Sequence, residues 1–103
     1  MPKTKYQINF IEAAEKDLTG IVDYIAGENP ATALKVTLKI EKNTLKLEDF
    51  PLIGVVPRIR RLARNGYRIL IVDDHLVFYV VADNEIVEIR RILSGRKDHQ
   101  FLF

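Results

Sequence analysis

The stretch from Gly66 to Asp98 constrains the fold of this chain more than any other. It reads YRILIV, DD, HLVFYVV, ADN, EIVEIRRIL and SGRKD, so three β-rich runs are separated by short polar turns. Apolar residues alternate along the runs, which is the period of a half-buried strand. Turns this short make consecutive strands antiparallel neighbours. With two-residue loops at Asp73-Asp74 and Asp83-Asn84, Val72 falls opposite His75 and Arg68 opposite Tyr79. The same spacing puts Ala82 opposite Glu85 and Tyr79 opposite Glu88. Directly paired residues share a face. One face then carries Tyr67, Ile69, Ile71, Leu76, Phe78, Val80, Val87, Ile89 and Leu93, with Arg91 its one charge, and is expected to be the core face. The other carries Arg68, Leu70, Val72, His75, Val77, Tyr79, Ile86, Glu88, Arg90 and Ile92. Arg68, Tyr79 and Glu88 share one row there, which makes it the candidate working face. A one-residue change in either loop inverts part of this assignment.

Upstream, Tyr6, Ile8 and Phe10 alternate with polar residues and predict a short first strand. Ala14, Leu18, Ile21 and Ile25, widened by Val22, form a helical stripe that predicts a helix from about Glu12 to Gly27. Asn29 is the expected N-cap of a second helix, and Pro30 its first residue. That helix is expected to run to about Leu47, with Ala33, Val36, Ile40 and Leu47 as its stripe and Leu34, Leu38 and Leu45 beside it. A short connection makes the pair an antiparallel hairpin. Residues 48 to 57, EDFPLIGVVP, read as a loop that Phe50, Leu52 and Ile53 pin to the core. RIRRLARNG follows and ends in the turn signal Asn65-Gly66; a short helix and an irregular approach to the sheet fit it equally. The expected order is β-α-α-β-β-β. This is a two-layer α+β domain with a helical hairpin on one face of a small antiparallel sheet.

At 103 residues the chain holds one domain and one core. It has no cysteine, which excludes disulfides, a thiolate nucleophile and cysteine-based zinc sites. No apolar run approaches the roughly 18 residues of a membrane span. Met-Pro-Lys-Thr-Lys is followed by no signal-like apolar region, so the expected location is the cytoplasm. The net charge of +2 says little about nucleic acid, but five arginines and no acid lie between Arg58 and Arg68.

The element order, together with DYIAGENPATA, RNGYRILIVDDHLVFYVV and VEIRRILSGRKD, resembles the RelE/ParE superfamily of toxins from bacterial type II toxin–antitoxin systems. The GYR entering a central strand, the FY in the next and the closing RIL-x-GRKD carry most of the resemblance. Two departures stand out: Ser94 where members usually have His, and His99 where many have an aromatic. The resemblance implies a RelE-like fold and a cognate antitoxin as partner. It also implies one of two targets. The RelE-like branch cleaves mRNA in the ribosomal A site without a metal, through the 2′-hydroxyl; the ParE-like branch inhibits DNA gyrase. A binding module of the same fold without catalysis is a third reading. Neither a metal nor a cofactor is expected.

By position, Arg68 and Arg96 match basic residues of the nuclease branch, and His99 lies near a tail residue that is Tyr in some members. A second basic residue of the central strands falls on Leu70 or Leu76 and is missing. Cleavage by the 2′-hydroxyl needs a base, cations for the developing phosphorane and an acid for the leaving oxygen. Arg68, Arg90 and Arg96 have the planar fork that suits phosphate oxygens. Glu88 or His99 is the candidate base, and His99 or Tyr79 the candidate acid. Arg68, Glu88, Arg96 and His99 are thus the catalytic candidates. Arg58, Arg60, Arg61, Arg64, Arg90 and Lys97 are the candidates for contacting nucleic acid. Each has a plainer alternative. The Arg68–Tyr79–Glu88 row equally describes a cross-strand ion pair, and the arginine cluster a solvated segment or a dock for an acidic antitoxin. His75, beside a tight turn, reads as structural. The final Phe101-Leu102-Phe103 either packs on its own domain or joins the antitoxin-binding patch. On the residues alone, ribosome-dependent mRNA cleavage is the favoured reading and gyrase inhibition the alternative.

Overall fold

The structure is a computed structural model and describes residues 5–95. Strand β1 (Gln7–Phe10) leads into helix α1 (Glu12–Glu28) and helix α2 (Pro30–Leu45), which a 3₁₀ turn at Lys46–Glu48 extends. A short helix α3 (Arg60–Arg64) precedes β2 (Tyr67–Val72), β3 (His75–Ala82) and β4 (Ile86–Ser94). The expected α+β order is present. Asn29 caps α2 as expected, its side-chain oxygen accepting from the Thr32 N–H at 3.2 Å. The basic segment settles as α3, and Gly66 follows it at φ 80, the left-handed region where a side chain is strained.

The sheet order is β1-β4-β3-β2, and β1 runs parallel to β4. The sheet is therefore mixed, not wholly antiparallel, because the helical hairpin carries the chain from one end of β1 to the far side of the sheet. The first hairpin has the expected register, with Val72 opposite His75 and Arg68 opposite Tyr79. The second does not. Ala82 pairs with Ile86, so Glu85 joins Asp83 and Asn84 in a three-residue loop. Asn84 and Glu85 take φ 63 and 58 there. Tyr79 then faces Ile89, and Glu88 faces Val80. A bulge follows: Phe78 pairs with Arg91, which leaves Arg90 as the extra residue and shifts the register once more.

The extra loop residue moves the first half of β4 to the other face, so Val87 and Ile89 join the strand face that carries Tyr79. Leu70, Val72, Val77, Tyr79, Val87, Ile89 and Ile92 form one core with Ala14, Ile40 and Leu47 of the helical layer. The strand face expected to work is the one the helices cover. The opposite face is not bare, because Phe78 and Val80 are buried there. Helix α3 packs against β2 and its Leu62 is buried.

Phe50, Leu52 and Ile53 also differ from expectation. They are 59%, 60% and 46% exposed and are not buried anchors. The loop is held by its backbone instead. Val55 bridges to Ile69 on the outer edge of β2 through reciprocal bonds of 2.9 and 2.8 Å.

Candidate functional site

Arg68 and Tyr79 are neighbours, but they serve the loop. The Tyr79 side chain is fully buried in the helix-side core. Its hydroxyl accepts from the Gly54 N–H at 2.9 Å and donates to the Pro51 carbonyl at 2.8 Å. Burial pushes the phenol above its ordinary range, against the opposing pull of the Gly54 N–H and the Arg68 charge. Arg68 donates through Nη1 to the carbonyls of Leu52 at 3.1 Å and Gly54 at 2.9 Å. Four hydrogen bonds from two strand residues thus satisfy a turn that has no ladder of its own. Gly54 is required: a Cβ there would lie 2.6 Å from the Tyr79 hydroxyl oxygen and 3.0 Å from the Ile69 carbonyl.

Glu88 is not in this group. It sits across from Val80, on the face opposite Arg68, and forms an ion pair with Arg90 at 2.9 Å. The Arg90 guanidinium stands 5.9 Å from the centre of the Tyr67 ring. The row Arg68–Tyr79–Glu88 does not exist, because it depended on a two-residue second loop. Arg96, Lys97 and His99 lie outside the described residues. Arg58, Arg60, Arg61 and Arg64 are all exposed, on α3 and the turn before it, and buried Leu62 anchors that helix. Arg58, Arg60 and Arg64 make no ion pair among the described residues.

A second cluster was not foreseen. Asp17 of α1 accepts from Arg91 through both carboxylate oxygens, at 2.6 and 2.9 Å, and from the Ile92 N–H at 3.0 Å. The Asp17 bond is the main cause holding the Arg91 pKa above its ordinary value. Pairing of β1 with β4 stops at Phe10–Ile89, so Asp17 closes the edge where β4 runs on beside β3 without β1. The heptad-like periodicity of α1 hides this role, since Asp17 occupies an ordinary polar slot in the sequence. Among the described residues, no group of His, Asp and Glu is arranged to hold a metal ion. No helix among them is long and apolar enough to cross a membrane.

Sequence comparison decides the family. Residues 8–99 match the model of the ParE toxin of the type II toxin–antitoxin system parDE. The chain belongs to the ParE toxin family. It is thus a toxin of a type II toxin–antitoxin system, as the quoted motifs implied. No curated protein matches this ParE-family chain. Among solved structures it is similar to the chromosomal ParDE toxin–antitoxin system from P. aeruginosa, at 20% identity and a TM-score of 0.71, covering 87% of this chain and 96% of that one. It is also similar to the RelBE2 toxin–antitoxin complex from Mycobacterium tuberculosis, at 24% identity and a TM-score of 0.61, covering 87% of this chain and 98% of that one. At these identities the two likenesses establish the shared RelE/ParE fold, and the fold hosts both branches.

Proposed function

We propose that this ParE-family toxin acts on DNA gyrase and does not cleave mRNA. The observation that carries the reading is the separation of the nuclease candidates. Arg68 and Glu88 point to opposite faces of the sheet, and the Arg68 guanidinium is engaged by two backbone carbonyls of the loop. Tyr79, the candidate acid, is buried with its hydroxyl doubly bonded, and cannot reach a leaving oxygen. Cleavage needs a base, an acid and cations within reach of one phosphate. Arg68, Tyr79 and Glu88 do not converge in that way. The match to the ParE toxin model supports the same reading.

In this reading the exposed arginines Arg58, Arg60, Arg61 and Arg64 dock on the gyrase–DNA complex. Their contribution falls as salt rises. The toxin works in the cytoplasm and is neutralised by an antitoxin encoded beside it. The test is a supercoiling reaction: relaxed plasmid, gyrase and ATP, with the purified chain titrated in. Loss of supercoiled product at stoichiometric toxin is the expected result. Full supercoiling at a large excess of folded toxin defeats the reading.

A further inference from the structure

Between Phe50 and Arg68 the chain carries five arginines, no lysine and no acid. This segment is anchored at Gly54, Pro57 and Leu62, which are buried. Leu52, Ile53, Val55 and Val56 face water instead, at 60%, 46%, 53% and 56% exposed. The loop does not need these side chains to hold its shape. Tyr79 and Arg68 grip its backbone, and Val55 is bridged to Ile69 through backbone bonds. A loop held in this way presents apolar side chains at fixed positions, which lowers the ordering cost of an encounter. The exposed Arg58, Arg60 and Arg64 follow directly, and none of them has an ion pair among the described residues.

We infer that the loop of residues 52–56 and the arginines after it form one docking surface, and that its occupant is an acidic protein face with an apolar centre on the toxin's target. The inference rests on the proposed action on gyrase, and it says which part of the gyrase–DNA complex this segment meets: the protein, not the DNA. Charge selects an acidic occupant, because Arg58, Arg60 and Arg64 lack partners within the described fold. Composition selects protein over DNA. A duplex offers phosphates to the arginines, but its backbone offers no apolar surface to Leu52, Ile53, Val55 and Val56. Arginine beside exposed apolar residues, with lysine absent, is the composition of a protein interface. The guanidinium fork also pairs with carboxylates through two parallel bonds. A second copy meeting this surface face to face would set arginines against arginines, which opposes it.

The experiment measures binding of the purified chain to gyrase holoenzyme without DNA, and separately to a duplex oligonucleotide alone, by biolayer interferometry. Two paired variants are compared with the parent: Leu52→Ser with Val56→Ser, and Arg58→Gln with Arg60→Gln. All four side chains are exposed, so circular dichroism and the urea midpoint should match the parent. On DNA-free gyrase the serine pair is expected to weaken binding by about 10- to 100-fold, the range of truncated apolar anchors, with its salt dependence unchanged. The glutamine pair is expected to weaken it by about 10-fold and to flatten its fall with rising salt. Inhibition of supercoiling should weaken in the same order. Parental affinity of the serine pair for gyrase overturns the inference, and so does binding to the duplex alone but not to DNA-free gyrase. With supercoiling still inhibited, either result leaves the gyrase reading standing. Supercoiling untouched by the unsubstituted chain defeats both. If the chain alone sediments as an oligomer and the serine pair makes it a monomer, the surface belongs to a second copy and the inference fails.

Discussion

At the start of β2 the helical layer ends and the loop of residues 50–56 takes over the sheet's helix-side face. Past Phe10, β1 ends and β4 runs on along α1 with an open edge. Neither place has more backbone pairing than the single Val55–Ile69 bridge of the first, and both are closed by side chains bonding to backbone. The means differ. The first uses a buried neutral hydroxyl, a partly exposed guanidinium and a glycine. The second uses one carboxylate that binds a guanidinium and a backbone N–H together. The fully buried Tyr79 hydroxyl has no water to replace a lost partner, whereas the partly exposed Asp17–Arg91 pair has some. The loop clamp should therefore be the less forgiving of the two, although it holds the more exposed segment.

The largest effect is expected from Gly54→Ala, where the new Cβ meets backbone and a buried ring. A loss of about 3 kcal/mol is expected, the upper range for overpacking, and urea unfolding checks it. A loss below that of any edge substitution would break the comparison. Tyr79→Phe leaves the Gly54 N–H and the Pro51 carbonyl unpaired, and about 2 kcal/mol is expected by the same measurement. It also has a pH signature. The folded phenol titrates above its ordinary value, so as pH rises past about 10 the unfolded chain gives up this proton first. The unfolded state then binds fewer protons, and stability falls with rising pH. Urea midpoints between about pH 8 and pH 10.5 should fall more steeply in the parent than in Tyr79→Phe.

Asp17→Ala should cost about 1.5 kcal/mol, because Arg91 regains water but the Ile92 N–H loses its acceptor. Faster amide exchange at Ile92 is the direct readout. Arg68→Ala should be mildest, at about 1 kcal/mol or less, since the Leu52 and Gly54 carbonyls lie within reach of solvent once the side chain is gone. A larger loss for Arg68→Ala than for Tyr79→Phe would reverse the order of the two clamp residues.

The fold was legible because its signals are local. Asn29-Pro30 marks the boundary between α1 and α2, and alternation marks the strands. The first hairpin register follows from a two-residue turn. The row of candidate site residues was misread because it hangs on one residue: Glu85 in the turn instead of the strand flips the β4 side chains from Ile86 to Ile89, up to the bulge. Periodicity cannot register a bulge such as that at Arg90, because it inserts a residue without changing residue types. The loop was assigned its anchors by hydrophobicity, yet Tyr79 and Arg68 grip its backbone, and backbone bonds leave no trace in composition. Leu34, Leu38 and Leu45 were read as lying beside the α2 stripe, and they are exposed because α2 has apolar residues on two sides.

The role of Arg68 tests the functional reading most directly. Primer extension on mRNA from translating ribosomes should be run with the folded toxin and with its Arg68→Ala variant, at concentrations that stop gyrase. Full-length transcripts in both tubes are expected, since Arg68 holds a loop and no phosphate. Cuts within A-site codons that vanish in Arg68→Ala, with its fold intact, would contradict the reading and return this chain to the nuclease branch.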